Sequence, residues 1–210
     1  MKKALSLVSL LAALASTAAA APYYLPQPAA GELTPYDWQP VYSVDAFYNW
    51  SSNDAPDTVG ARLNFSLYSN ASSTVRHQFT ISAGYETGSN SYTIISPFYE
   101  PAKYRLEMEK LPITLGYDIN LAVNDSVMFD FGIKAGYAFG FLTGKVYDFK
   151  ETANTGGFTY GLTAGIKVLI SDDIYARVAY EFTRTYFSED LPSHVNFSQH
   201  GVVLGIGCTF

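Results

Sequence analysis

Three groups of residues have the types and spacing for chemistry. The first is a set of formal charges at alternate positions within otherwise apolar segments. Asp45, Glu86, Asp118, Asp130 and Glu181 stand against Arg62, Arg76, Lys134, Lys167 and Arg177. Five acids and five bases on one face read as ion pairs, because a charge taken out of water is tolerated only when paired. The same charges could instead line a narrow ion path. The second group is Ser198 between His194 and His200, with Glu189 and Asp190 nearby. A Ser–His–acid set is nucleophilic only if its members come within hydrogen-bond reach, and loop polarity explains these residues as well. The third group is aromatic and branched: Tyr92, Ile94, Phe98 and Tyr99 within 87–103, Tyr147 and Phe149 within 143–156, and Tyr186 and Phe187 within 184–199. Large side chains in long connections on a rigid scaffold are where recognition is carried. No phosphate loop or metal-ligand cluster accompanies them, so no cofactor and no metal site is expected. The single Cys208 excludes an internal disulfide and a Cys-based zinc site.

The elements that position these groups have a period of two. From Val41 onward apolar and polar residues alternate in eight segments, the signature of strands with two different faces. Among them, Tyr42, Val44, Ala46, Tyr48 and Trp50 share one face, with Phe47 an exception on the other. The longest segment sets Phe129, Phe131, Ile133, Ala135, Tyr137, Phe139 and Phe141 against Asp130, Gly132, Lys134, Gly136 and Gly140. On the apolar faces only His77 is neither apolar nor aromatic.

Which face looks inward is decided by glycine. The chain has 16 Gly beside 17 Tyr and 14 Phe, and eleven of those Gly fall on the polar face with the balanced charges. A water-exposed strand gains nothing from Gly. The interior of a narrow closed barrel does, because small residues leave room for long charged ones to meet. The apolar face then meets lipid. The fold class predicted is all-β: a closed antiparallel up-and-down eight-stranded transmembrane β-barrel. A soluble calyx with its apolar face inward is the weaker alternative. Tyr42, Trp50, Tyr85, Tyr137, Phe141, Phe158, Tyr160 and Phe210 fall near strand ends, as interfacial girdles should.

Connection lengths agree. Asn70–Ser73, Asn124–Ser126 and Ser171–Asp173 are short turns, alternating with longer connections near 52–58, 87–103, 143–156 and 184–199. Short turns on the periplasmic side place both chain ends there. A parity conflict between Leu106/Met108 and Leu111/Ile113 predicts a bulge near Glu109 or Lys110. Counted from the turns, Arg76, Asp118, Asp130, Lys167 and Arg177 form a layer near the periplasmic end, with Asp45, Arg62, Lys134 and Glu181 completing the interior ladder.

The remainder sets the domain plan. Lys2 and Lys3, an apolar run from Ala4 to Ala15 and small residues through Ala20 make residues 1–20 a secretory signal peptide. Residues 21–40 carry Pro22, Pro26, Pro28, Pro35 and Pro40 and read as an extended N-terminal segment. The barrel is 41–210. A net charge of −6 opposes a nucleic-acid partner, which needs a basic stripe.

The last segment puts Val202, Leu204, Ile206 and Cys208 on one face behind a terminal Phe210. This resembles the sorting strand of bacterial outer-membrane proteins. With the signal peptide and eight strands, the chain is similar to the small outer-membrane β-barrel superfamily: the outer-membrane protein X type, the barrel half of outer-membrane protein A, and opacity-type adhesins. The resemblance implies a bacterial outer-membrane location, insertion by the barrel-assembly machinery, and surrounding outer-membrane lipid and lipopolysaccharide. Cys208 stands where such strands usually carry Tyr. Lipid A deacylases on this scaffold carry His-x-Ser-Asn, which His194-Val195-Asn196 does not match, so an enzyme is not expected. The expected role is a monomeric structural and surface-interaction barrel, adhesin-like through its outer loops, with an unidentified surface or host partner. A narrow gated pore and a lipid A-modifying enzyme are the rivals.

Overall fold

The computed structural model describes residues 38–51, 56–69, 75–96, 99–124, 126–146, 149–171, 173–187 and 196–209. Every segment that alternates in the sequence is a strand, since a two-residue period exposes one set of side chains to each side of a sheet. They are β1 (Trp38–Ser51), β2 (Thr58–Ser69), β3 (Val75–Ser96), β4 (Tyr99–Ala122), β5 (Val127–Val146), β6 (Phe149–Ser171), β7 (Ile174–Phe187) and β8 (Asn196–Thr209). Each pairs antiparallel with its neighbours in sequence, and β1 pairs with β8, closing the ring.

The register sets the bore. Ser51 faces Gln199, and stepping on through Thr183, Gly161, Lys134, Gly116, Thr80 and Ser66 returns to β1 at Val41, ten residues below the start. Eight strands with that stagger tilt by roughly 40° and leave a lumen that side chains can fill. Exposure gives the sense of the faces: Leu115 and Ile206 are 64% and 63% exposed, while Lys110 and Asp130 are 0%. The barrel is apolar outside and charged inside.

Three expectations are corrected. β1 begins at Trp38, inside the segment assigned to the Pro-rich extension, and Pro40 pairs with Leu67. Pairing with β8 starts only at Val41, so Pro40 has a neighbour on one side and its missing N–H costs at most one ladder bond. Second, the β3–β4 register does not shift near Glu109 or Lys110. Ala83 faces Ile113 and Glu86 faces Lys110 in one continuous register, and the ladder merely skips two steps beside Pro112, which cannot donate. The only register shift between these strands lies at Ile94/Ser96. Third, 143–156 is largely strand, not loop, and 87–103 extends β3 and β4 above the ring. Beyond Gly88, β3 pairs with β4 alone, and before Gly157, β6 pairs with β5 alone. The upper parts of β3, β4, β5 and β6 therefore form a four-stranded wall rising above the ring. Its two flanks, at Tyr92–Ser96 and Phe149–Gly156, lack a ladder partner among the described residues.

The signal peptide of residues 1–20 and positions 21–37 of the extension lie outside the described residues. The short-turn end is regular: Asn124 accepts hydrogen bonds from the backbone N–H of Ser126 and Val127, each at 2.9 Å.

Candidate functional site

The lumen is stacked in layers, beginning at the short-turn end. There Lys167 donates to Gln78 at 2.8 Å and Asn120 at 2.5 Å, with its ammonium 5.6 Å from the Tyr175 ring centre. Arg76 lies over Tyr68 and donates to its hydroxyl at 3.4 Å. Just above, Arg177 binds Asp130 at 2.5 Å and reaches Asp45 at 3.8 Å, while Asp118 accepts from Thr80. The middle layer is a chain of charges: Asp45–Arg62 at 2.8 Å, Arg62–Glu181 at 2.7 Å and Lys134–Glu181 at 2.7 Å. Glu181 is thus shared by two cations. Next, Lys110 pairs with Glu86 at 2.9 Å and donates to Gln199, which donates in turn to Thr58.

All nine charges assigned to the ladder point into the barrel, and so does Glu86. Lys110 joins them, since without a bulge it shares the parity of Thr114, Gly116 and Asp118, and gives the lumen six cations to five acids. Arg76, expected in the paired layer, has no carboxylate at bridging distance among the described residues: Tyr68 and Met128 hold it at the mouth.

Above Lys110 the chemistry changes. Met108, Leu142, Phe187 and Phe197 form a buried apolar cluster, with the Phe187 and Phe197 rings 5.2 Å apart and edge-on. Met108 is on the inward face like Lys110, which resolves the parity conflict: the inward side turns apolar here because it closes the bore. Phe187, expected as a loop contact, is part of this cap. Phe47, the exception to the alternation on β1, points inward under the Arg62 guanidinium at 5.5 Å. Between the lower and middle charge layers lies a void of about 40 Å³, lined by Asp45, Arg62, Asp118, Lys134, Arg177 and Glu181 among others. That is room for two or three waters.

Glycine makes the layers possible. Most of the inward charges have a Gly directly across the ladder: Gly205 beside Asp45 and Arg177, Gly161 and Gly116 beside Lys134, Gly201 beside Glu181, Gly165 beside Asp130; Lys167 and Arg76 do not. A Cβ at Gly165 would come 2.8 Å from Asp130 Oδ1 and 2.6 Å from both the Ala179 Cβ and the Val178 carbonyl oxygen. Gly165→Ala is expected to cost about 1–3 kcal/mol by overpacking, read as a lower denaturant midpoint for the barrel refolded in micelles.

The outward face carries aromatic bands at both ends, with Trp50, Tyr137, Phe158 and Tyr186 toward the wall and Tyr42, Phe79 and Tyr117 toward the turns. His77 faces out and hydrogen-bonds Tyr117 at 2.7 Å. His200 also faces out: its Nδ1 is engaged by the Tyr180 hydroxyl and its ring stacks on Trp50. Ser198 supplies its backbone carbonyl to Ser51. His194, Glu189 and Asp190 lie outside the described residues. Val202, Leu204 and Ile206 are exposed on the outer side of β8, with Cys208 half-buried; Phe210 lies outside the described residues. Among the wall candidates, Phe149 is 85% exposed and Tyr186 sits in the aromatic band against Tyr160. For Tyr92, Ile94 and Tyr99 only the strand backbone is described, and Phe98 and Tyr147 lie outside.

A family model described as outer membrane protein beta-barrel domain matches residues 5–210. No curated protein matches the chain. Among solved structures, the outer membrane protease OmpT of Escherichia coli superposes with a TM-score of 0.50 at 8% identity, over 85% of this chain and 98% of that one. The N-terminal β-barrel domain of Pseudomonas aeruginosa OprF gives 0.46 at 15% identity, covering 83% of this chain and 100% of the other. Ail, the attachment invasion locus protein of Yersinia pestis, gives 0.45 at 12%, covering 82% and 97%.

Proposed function

The chain belongs to the outer membrane protein beta-barrel family, and we propose that within it the protein is a non-enzymatic surface-interaction barrel acting through its projecting wall. The wall end faces the medium and the short turns and both termini face the periplasm. The outward row Val202, Leu204 and Ile206 serves as the strand recognised by the assembly machinery during insertion. Protease and attachment protein occur side by side among the structures of similar fold, so the fold itself selects neither.

One observation carries the reading. The flanks of β3 at Tyr92–Ser96 and of β6 at Phe149–Gly156 have no neighbouring strand among the described residues. Most proteins blunt such edges, because unpaired N–H and C=O groups recruit another chain. Here they are long and raised clear of the membrane, which suits docking of an extended segment of a partner by strand addition.

The test is to shorten each hairpin separately, replacing 90–100 or 147–152 with a Gly-Ser turn, in cells displaying the full chain. Adherence to host cells or matrix proteins should fall about tenfold or more in at least one variant, the order expected when a row of main-chain bonds is lost. Heat-modifiable gel migration, which reports the closed ring, should persist. Undiminished adherence in both variants would sink the proposal.

A further inference from the structure

The chain is acidic overall, with a net charge of −6, yet its cations are sharply sorted. Among the described residues six point into the lumen and five point outward: Lys103, Arg105, Lys145, Lys150 and Arg184. Four of these five lie on one side of the wall. Arg105 faces Lys145 across the β4–β5 ladder, and Lys145 faces Lys150 across the β5–β6 ladder, so three cations stand abreast in one row. Lys103 sits on the same face two residues from Arg105. Like charges directly opposed on a sheet are destabilising, so this row costs the fold something and calls for an anion.

The acids nearby do not supply enough. Glu107 accepts from Lys145 at 2.7 Å and meets Arg105 at 3.1 Å, and the Lys145 ammonium holds its carboxyl below the usual carboxylate range. Glu109 lies lower on β4, against Tyr85. Among the described residues, one carboxylate within the row against four cations leaves it strongly positive.

Direction and height identify the anion. These side chains continue the parity of Phe139 and Phe141 on β5 and of Leu111 on β4, so they look sideways over the bilayer rather than up from the wall's tip. Lys145 is four residues beyond Phe141, the last exposed apolar side chain of its strand, or about 10 Å along the barrel axis. Arg184 stands below, at the aromatic band on β7, its guanidinium 4.9 Å from the Tyr186 ring centre and its Nε without a partner. An anion spanning both levels must be anchored in the same leaflet.

We propose that this outward basic face binds the phosphorylated and carboxylated saccharide head of lipopolysaccharide in the surrounding outer leaflet. The inference rests on the orientation proposed above, with the wall outside the cell. It does not require the open strand edges. The cations take the place of the divalent ions that otherwise bridge neighbouring head groups.

The experiment uses the full mature chain refolded into phospholipid nanodiscs, with EDTA present, titrated with purified lipopolysaccharide and separately with its lipid-free core oligosaccharide. The variant K103Q/R105Q/K145Q/K150Q should bind both about tenfold to a hundredfold more weakly, as expected for losing several exposed charge contacts. E107Q should bind a few-fold more tightly, and wild-type affinity should fall with salt as screening shortens. Retained heat-modifiable migration establishes that the variants fold. Binding by the quadruple variant within twofold of wild type would overturn the proposal. So would inorganic phosphate competing as well as core oligosaccharide, which marks an unspecific anion site, or charge-dependent binding of heparin with none of lipopolysaccharide, which places the ligand on another cell. Adherence lost on hairpin shortening but kept in the quadruple variant separates this site from the strand edges.

Discussion

Glu181→Gln is expected to destabilise the barrel by about 3–5 kcal/mol, the range for removing one partner from a buried ion pair. Glu181 is 2% exposed and takes 2.7 Å contacts from both Arg62 and Lys134. Arg62 keeps Asp45 at 2.8 Å after the change, whereas Lys134 has no other carboxylate at bridging distance among the described residues. The amide can accept one hydrogen bond, but its other arm donates and would point at a cation. Most of the cost therefore falls on Lys134. The double variant E181Q/K134M tests that assignment: removing both charges should recover most of the loss, because a buried pair is worth little net against apolar groups of similar volume. Equilibrium unfolding in micelles for the two single variants and the double gives the coupling. A Glu181→Gln loss below about 1 kcal/mol would mean that the middle layer is hydrated rather than dry.

Phe187→Ala is expected to cost about 3–5 kcal/mol, the usual penalty for emptying an aromatic core position. Its ring fills the bore beside Gly140, where an added Cβ would come 2.8 Å from it, and it packs on Phe197 with Met108 and Leu142 around it. Because this cap is the apolar stopper of an otherwise polar lumen, the same variant carries a second readout. In planar bilayers the wild-type barrel should show no steady unitary current, and Phe187→Ala should raise brief openings at most, since the three charge layers below still fill the bore. Reproducible steady currents from the wild type would favour a pore over the plugged reading. Glu181, shared between two cations above a small void, is where such a pore would open.

The ring itself is legible in the amino-acid sequence, since one face alternates as Tyr42 to Trp50 or Phe129 to Phe141 and the other carries Gly and paired charge. The period of two can be read because lipid imposes a uniform demand on every outward residue. The inward side obeys no such uniform rule, and there alternation misleads. Met108 and Lys110 are neighbours on one face of β4 and opposite in polarity, because one belongs to the cap and the other to the uppermost charge layer. Pattern alone suggests a bulge where there is only a change of layer beside Pro112. The wall escapes the pattern for a different reason. Residues 143–156 show no sustained alternation of apolar and polar side chains, since a strand wetted on both sides needs none, and hydrogen bonds to a neighbour leave no hydrophobic trace in composition. The basic row is likewise hidden: Arg105, Lys145 and Lys150 are far apart in the chain and become adjacent only through register.

That register has one more consequence. The stagger of ten residues is closed entirely by pairs below the wall, so the bore is complete before β3 to β6 rise past it. Lengthening or trimming both arms of a hairpin by two residues would preserve which side each residue faces and leave the ring untouched. Reach and calibre are thus independently adjustable, as in a telescope whose tube slides without changing its aperture. On the orientation proposed above, the mast can be matched to the depth of a cell's sugar coat while the part embedded in the bilayer stays the same.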